Sequence, residues 1–142
     1  MFTTRFKVRS TQVDAFGHLN NAAYLEIYEW ARWEWADADG LDARKMVEER
    51  GIGPAIVHID LSFHRELRMH DTVRVDTWFS DLQKVRATVS QEMYKEDGEL
   101  ASRVHITFVM FDLKTRKVVS MPAEMTRLFD HDAETRRRRP SK

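Results

Sequence analysis

The chain has no cysteine among its 142 residues, which excludes disulfide staples, thiol nucleophiles and cysteine-ligated zinc. It has no surplus of charge either. Its 23 basic and 23 acidic side chains cancel, so no whole-protein field attracts nucleic acid and any basic patch must be local. Long apolar runs are also missing. Met1-Phe2-Thr3-Thr4-Arg5-Phe6 has no hydrophobic stretch behind its charge and no later segment approaches a membrane span, so neither a signal peptide nor a spanning helix is expected. Glycine-rich phosphate loops and nucleophile-elbow serines do not occur. These absences leave a soluble cytoplasmic protein as the expectation.

What is present suits one globular domain, with 42% apolar and 32% charged residues. Residues 2–9 alternate as a first strand, with Phe2, Phe6 and Val8 toward the core. A loop over residues 10–20 then leads into a helix over 21–38, whose core stripe is Tyr24, Ile27, Tyr28, Ala31, Trp35 and Ala38. Trp30 and Trp33 project among charged positions, so a partner subunit, a loop or an acyl chain should cover them. Glu29 and Arg32 stand three apart and can pair on the helix surface. Gly40 ends the helix, and Asp42 caps a shorter one through Arg50.

From Ala55 the period changes to two, placing Ala55, Val57, Ile59, Leu61 and Phe63 on one face and Ile56, His58, Asp60, Ser62 and His64 on the other. Strands over 71–80, 84–94 and 100–112 follow, with Asp97-Gly98 as a hairpin turn and a short last strand over 117–120. One long helix against consecutive antiparallel strands is an α+β layer arrangement. The segment 130–142, ending in Arg136-Arg137-Arg138-Arg139-Pro140-Ser141-Lys142, reads as a basic, frayed tail.

Chemistry concentrates in Val13-Asp14-Ala15-Phe16-Gly17-His18-Leu19-Asn20-Asn21-Ala22-Ala23-Tyr24. A carboxylate precedes a helix start, where Asn20 or Asn21 can cap the first turn and other first-turn N–H groups stay free for a ligand oxygen. The N-terminus polarises an electron-rich oxygen while the carboxylate attacks or deprotonates water beside it. The plainer alternative is that Asp14 only folds a turn with Gly17. No metal is expected: His58 and His64 share a strand face with Asp60, but six residues of extended chain separate their Cα atoms by about 20 Å.

The same run, followed by Glu29 and Arg32, resembles the opening motif of the 4-hydroxybenzoyl-CoA thioesterase family, small acyl-CoA thioesterases of the hotdog fold. Phe63-His64-Arg65-Glu66-Leu67-Arg68-Met69-His70-Asp71 resembles the family's strand-turn-strand segment more loosely, with Phe63, Glu66 and His70 where the family often has Tyr, Pro and Gly. The resemblance implies a five- to six-stranded antiparallel sheet wrapped around the long helix, in a single domain over residues 1–129. It implies hydrolysis of the thioester of a small acyl-CoA to free acid and CoA, without a cofactor. Asp14 would be nucleophile or general base. Gly17, His18, Asn20 and Asn21 would form the oxyanion and positioning group, the Asn21 backbone N–H being the best donor by motif position and Ala22 a neighbouring alternative. Phe16 and Tyr24 would bind substrate. Family members generally work as homodimers or homotetramers with sites between subunits, which makes Trp30, Trp33 and the polar strand face contact candidates and Lys84, Arg86 and the C-terminal arginines candidates for the CoA nucleotide. Two rivals stand beside this reading: a non-catalytic hotdog module binding acyl-CoA or a protein partner, and a nucleic-acid or regulatory protein acting through the arginine tail. A dehydratase on the same fold would need a His and acid pair that no spacing clearly provides.

Overall fold

The computed structural model describes residues 1–138. Strands β1 (Phe2–Lys7), β2 (Ile52–Phe63), β3 (Thr72–Leu82), β4 (Arg86–Lys95), β5 (Leu100–Asp112) and β6 (Val118–Val119) form one antiparallel sheet in the order β1-β3-β4-β5-β2, with β6 paired to β5. Helices α1 (Asn21–Ala38), α2 (Ala43–Arg50) and α3 (Ala123–Arg137) complete the described elements apart from one 3-10 turn at Ser10–Gln12. Tyr24, Ile27, Tyr28 and Ala31 bury one stripe of α1 against Val73, Val75, Met93, Val104 and Ile106 of the sheet. Trp35, near the other end of α1, joins a second cluster with Phe79, Val89, Phe108 and Met110, to which α2 adds Met46 and α3 adds Met125 and Leu128. This is the α+β hotdog arrangement, with six strands and a long helix on the inner face.

Three expectations need correction. The stripe of α1 ends at Ala36 rather than Ala38, because Ala38 closes the last turn where the chain leaves through Asp39 and Gly40, the latter at φ +70°. In β2 the alternation breaks at a bulge between Ile56 and His58. Ile56 lies opposite Phe108 and Ile59 opposite Ile106, both core residues, so Ile56 faces inward with Ile59, Leu61 and Phe63, and Val57 is the extra residue. Without that residue, a strict period of two would turn either Ile52 or Leu61, nine positions apart and both packed on the core, away from it.

The third correction concerns the tail. Residues 130–137 form the second half of α3, because Asp132 is buried and bonded to the sheet rather than solvated. Of the arginine run, Arg136, Arg137 and Arg138 are exposed at the end of α3; the part of the tail from Arg139 to Lys142 lies outside the described residues.

The sheet's end strand β2 remains open. Helix α1 packs nearest β1 and β3, and Ile56, Ile59 and Phe63 are each 41–50% exposed along the inner row of β2. Trp30 and Trp33 stay 42% and 50% exposed; Trp30 only leans on Phe6, at 6.2 Å between ring centroids. Packing within the described chain therefore does not hide them. Among the described residues, no helix is long and apolar enough to cross a membrane.

Candidate active site

The loop before α1 is folded by its own polar groups. The Asp14 N–H donates to the His18 carbonyl at 2.8 Å, and the Gly17 N–H donates to the Asp14 carbonyl at 3.0 Å. Gly17 sits at φ +78°, a left-handed conformation that a side chain would strain. One carboxylate oxygen of Asp14, Oδ1, accepts from the N–H groups of Phe16 at 2.9 Å and His18 at 3.1 Å. The turn-folding and chemical readings of Asp14 thus fall on different atoms. Oδ1 holds the turn, while Oδ2 on this exposed residue has no partner among the described residues.

Asn20 caps the helix, as its side-chain oxygen accepts from the Ala22 N–H at 2.9 Å while its carbonyl accepts from the Ala23 N–H at 2.9 Å. Its own N–H donates to the Gln12 carbonyl at 2.8 Å, which fixes the angle at which the loop enters α1. Asn20 and Ala22 are thereby occupied. Asn21, the exposed first helical residue, keeps an N–H with no partner among the described residues.

The two motif loops are joined. The Leu19 N–H donates to the Leu67 carbonyl at 2.7 Å, and His18 and Arg68 form an isolated bridge. His18 Nε2 lies 3.2 Å from a Glu66 carboxylate oxygen, a partner 48 positions away that no local pattern announces. At the position where the family resembled above often has glycine, His70 adopts φ +73° and donates its N–H to the Val8 carbonyl at 2.9 Å. The departure therefore keeps the turn at a steric cost of about 1–2 kcal/mol. His70→Gly is expected to raise unfolding free energy by about 1 kcal/mol, and a urea titration showing no gain would refute that cost.

Phe16 and Tyr24 part company. Phe16 is 83% exposed at the loop tip, available to a ligand, whereas Tyr24 is 4% exposed. The Tyr24 hydroxyl donates to the Arg65 carbonyl at 3.3 Å and its ring meets Phe63 edge-on at 5.0 Å. Burial, and secondarily Glu66, raise its phenol above the usual range. Tyr24 is thus packed into the core, while Phe16 is open to solvent.

Two surface depressions of about 270 and 250 Å³ occur elsewhere, the larger around Asp39, Arg127 and His131 and the smaller around His64, Arg65 and Glu99. Neither includes Asp14. Among the described residues no three acidic or histidine side chains gather as metal ligands. His58 and Asp60 lie opposite Thr107 and His105 on the outer face of the sheet, while His64 Nε2 turns to the Ser62 hydroxyl at 3.1 Å. Lys84 and Arg86 are exposed at the turn between β3 and β4. Glu29 and Arg32 do not come within ion-pair distance, although the charge of Glu29 still acts on Arg32; Arg32 reaches inward and donates to Gln91 Oε1 at 2.9 Å.

A family profile described as thioesterase-like superfamily matches residues 8–129. The long-chain acyl-CoA thioesterase FadM of Escherichia coli K12 is 30% identical over 86% of this chain and 92% of its own length. Among solved structures, YbaW of Escherichia coli, described as a probable thioesterase, superposes with TM-score 0.81 at 28% identity over 93% of this chain and 98% of its own. SAV2348 of Staphylococcus aureus, solved in complex with CoA, superposes with TM-score 0.87 over 99% of this chain and 87% of its own, and at 21% identity shows the shared fold.

Proposed function

Because this chain belongs to the thioesterase-like superfamily, we propose that it hydrolyses acyl-CoA thioesters at the loop before α1, as a member of the 4-hydroxybenzoyl-CoA thioesterase branch. The observation that carries the proposal is the pair of unengaged groups in that loop: Asp14 Oδ2 and the Asn21 N–H. The thioester carbonyl accepts from the Asn21 N–H, reinforced by the positive end of α1. A donor aimed at the developing oxyanion is worth about 3–4 kcal/mol in other enzymes. Asp14 then either attacks the carbonyl carbon, expelling CoA thiolate and leaving an acyl-enzyme that water cleaves, or takes a proton from water as it attacks. In both routes the products are the free acid and CoA. His18 acts by fixing the loop through its backbone and its contact with Glu66.

The test is thiol release from a panel of short, long and aromatic acyl-CoAs, the long members motivated by the 30% identical relative named for them. Hydrolysis of any class supports the reading and names the acyl group; binding without thiol release would favour the non-catalytic module. Lys84 and Arg86 are the proposed contacts of the CoA nucleotide, and the cytoplasm is the proposed location.

A homodimer across β2 is part of the proposal. A twelve-residue end strand carrying three exposed inner-face hydrophobics is an association template unless covered. Pairing of β2 with β2 of a second copy would cover it and bring a second chain toward the open site. Ile59→Lys is expected to shift the protein to the monomer in analytical ultracentrifugation and to abolish turnover; an unchanged sedimentation coefficient would refute the edge as the contact.

A further inference from the structure

Between the two apolar clusters of the core lies a polar layer. Gln91 of β4 and Thr77 of β3, both 0% exposed, separate Met93 and Val75 on one side from Val89 and Phe79 on the other. The Gln91 amide donates from Nε2 to the Tyr28 backbone carbonyl at 3.0 Å and to Thr77 Oγ1 at 3.0 Å, and its Oε1 accepts from the Arg32 guanidinium at 2.9 Å. Its orientation is fixed by its partners, since a carbonyl can only accept and a guanidinium can only donate. No carboxylate lies within ion-pair distance of Arg32 among the described residues, so its charge enters the layer with the Gln91 amide as its hydrogen-bond acceptor.

These contacts do something that the surrounding apolar packing does not. Hydrophobic contact is non-directional, so the apolar stripe holds the register of α1 by the fit of its side chains alone and not by directed bonds. The Gln91 side chain, by contrast, binds α1 at Tyr28 and Arg32, successive turns of one helix flank, and a shift of about 1 Å breaks both bonds. We propose that Gln91 and Arg32 are positioning residues for the hydrolytic reaction, a grip that sets the axial register of α1 and with it the place of the Asn21 N–H. The donor lies about 10 Å along the helix from Tyr28 and about 16 Å from Arg32, so the helix transmits the register as a rigid rod. This inference rests on the proposed role of Asn21.

The test replaces the grip by apolar groups of similar length. The double variant Arg32→Met/Gln91→Met removes the donors and acceptor together, which leaves Thr77 and the Tyr28 carbonyl to partners they keep or regain locally. It is expected to fold, to keep KM within about threefold, and to lose about 10- to 100-fold in kcat, the scale expected of a small misplacement of reacting groups. Gln91→Glu, which retains an acceptor for Arg32 but loses the donor to Tyr28, is expected to recover part of that loss. Amide hydrogen exchange over residues 23–28 should quicken in the double variant, a readout independent of turnover. A double variant that keeps wild-type kcat, or one that does not fold, overturns the proposal, since the layer is then either dispensable or merely structural. If the wild-type chain releases no thiol from any acyl-CoA while the exchange still quickens, the failure lies with the thioesterase reading and not with the grip.

Discussion

Asp14→Asn is expected to lower thioester hydrolysis by about 10²- to 10⁴-fold, the range over which a positioned acid or base contributes, while leaving the fold intact. The choice of asparagine follows from the division of labour between the two oxygens. Oδ1 accepts from Phe16 and His18, and an amide oxygen keeps both bonds. Only the charge and the free oxygen are lost, so a fall in kcat reports chemistry rather than an unravelled turn. Asp14→Ala removes the acceptor as well and should cost a further 1 kcal/mol or so of stability. Near-full activity in Asp14→Asn would refute the assignment. Quenching a single turnover and weighing the protein separates the two routes: an acyl mass on Asp14 identifies attack by the carboxylate, and its absence under rapid turnover favours activation of water.

The parts of this molecule that were legible beforehand are those written in local periodicity. Tyr24, Ile27, Tyr28, Ala31 and Trp35 declare a helix face by spacing alone, and the Asn20 cap and Gly17 turn declare where that helix begins. The motif loop was legible for the same reason, since the bonds that fold it join residues within eight positions of one another, whereas its ties to Leu67 and Glu66 were not. What escaped was written at long range. A glutamine in mid-strand gives no sign that it will hold a helix 63 positions earlier. The bulge in β2 is set by the partner strand β5, so nothing in the run from Ile56 to His58 announces it. Arg32 reads as half of a surface pair because Glu29 is near in sequence, and only the sheet supplies its hydrogen-bond acceptor.

Helix α3 escaped for a further reason, and it yields the largest stability prediction. Its apolar stripe of Met125, Leu128 and Phe129 is short, and the next inward position is a charge, Asp132. The sheet explains that charge. β1 pairs with β3 only as far as Phe2 opposite Thr77, so the Phe79 N–H extends past the strand that would otherwise accept from it. Asp132 Oδ2 accepts from that N–H at 2.8 Å, and Oδ1 accepts from the Met1 ammonium at 3.1 Å. Thr135 completes the cluster, accepting from the same ammonium at 2.6 Å and donating to the Asp132 carbonyl at 3.0 Å. With Asp132 1% exposed, Asp132→Ala leaves the Phe79 N–H without its acceptor and the half-buried Met1 ammonium without its carboxylate, with Thr135 alone to accept from it. A loss of about 3 kcal/mol is expected, lowering Tm by roughly 6–12 °C for a domain of this size. Asp132→Asn keeps an oxygen for Phe79 and should lose less, because only the attraction to the ammonium disappears. Equal melting temperatures for wild type and Asp132→Ala would show that water replaces the carboxylate at this sheet edge, and α3 would then be held by Met125, Leu128 and Phe129 alone.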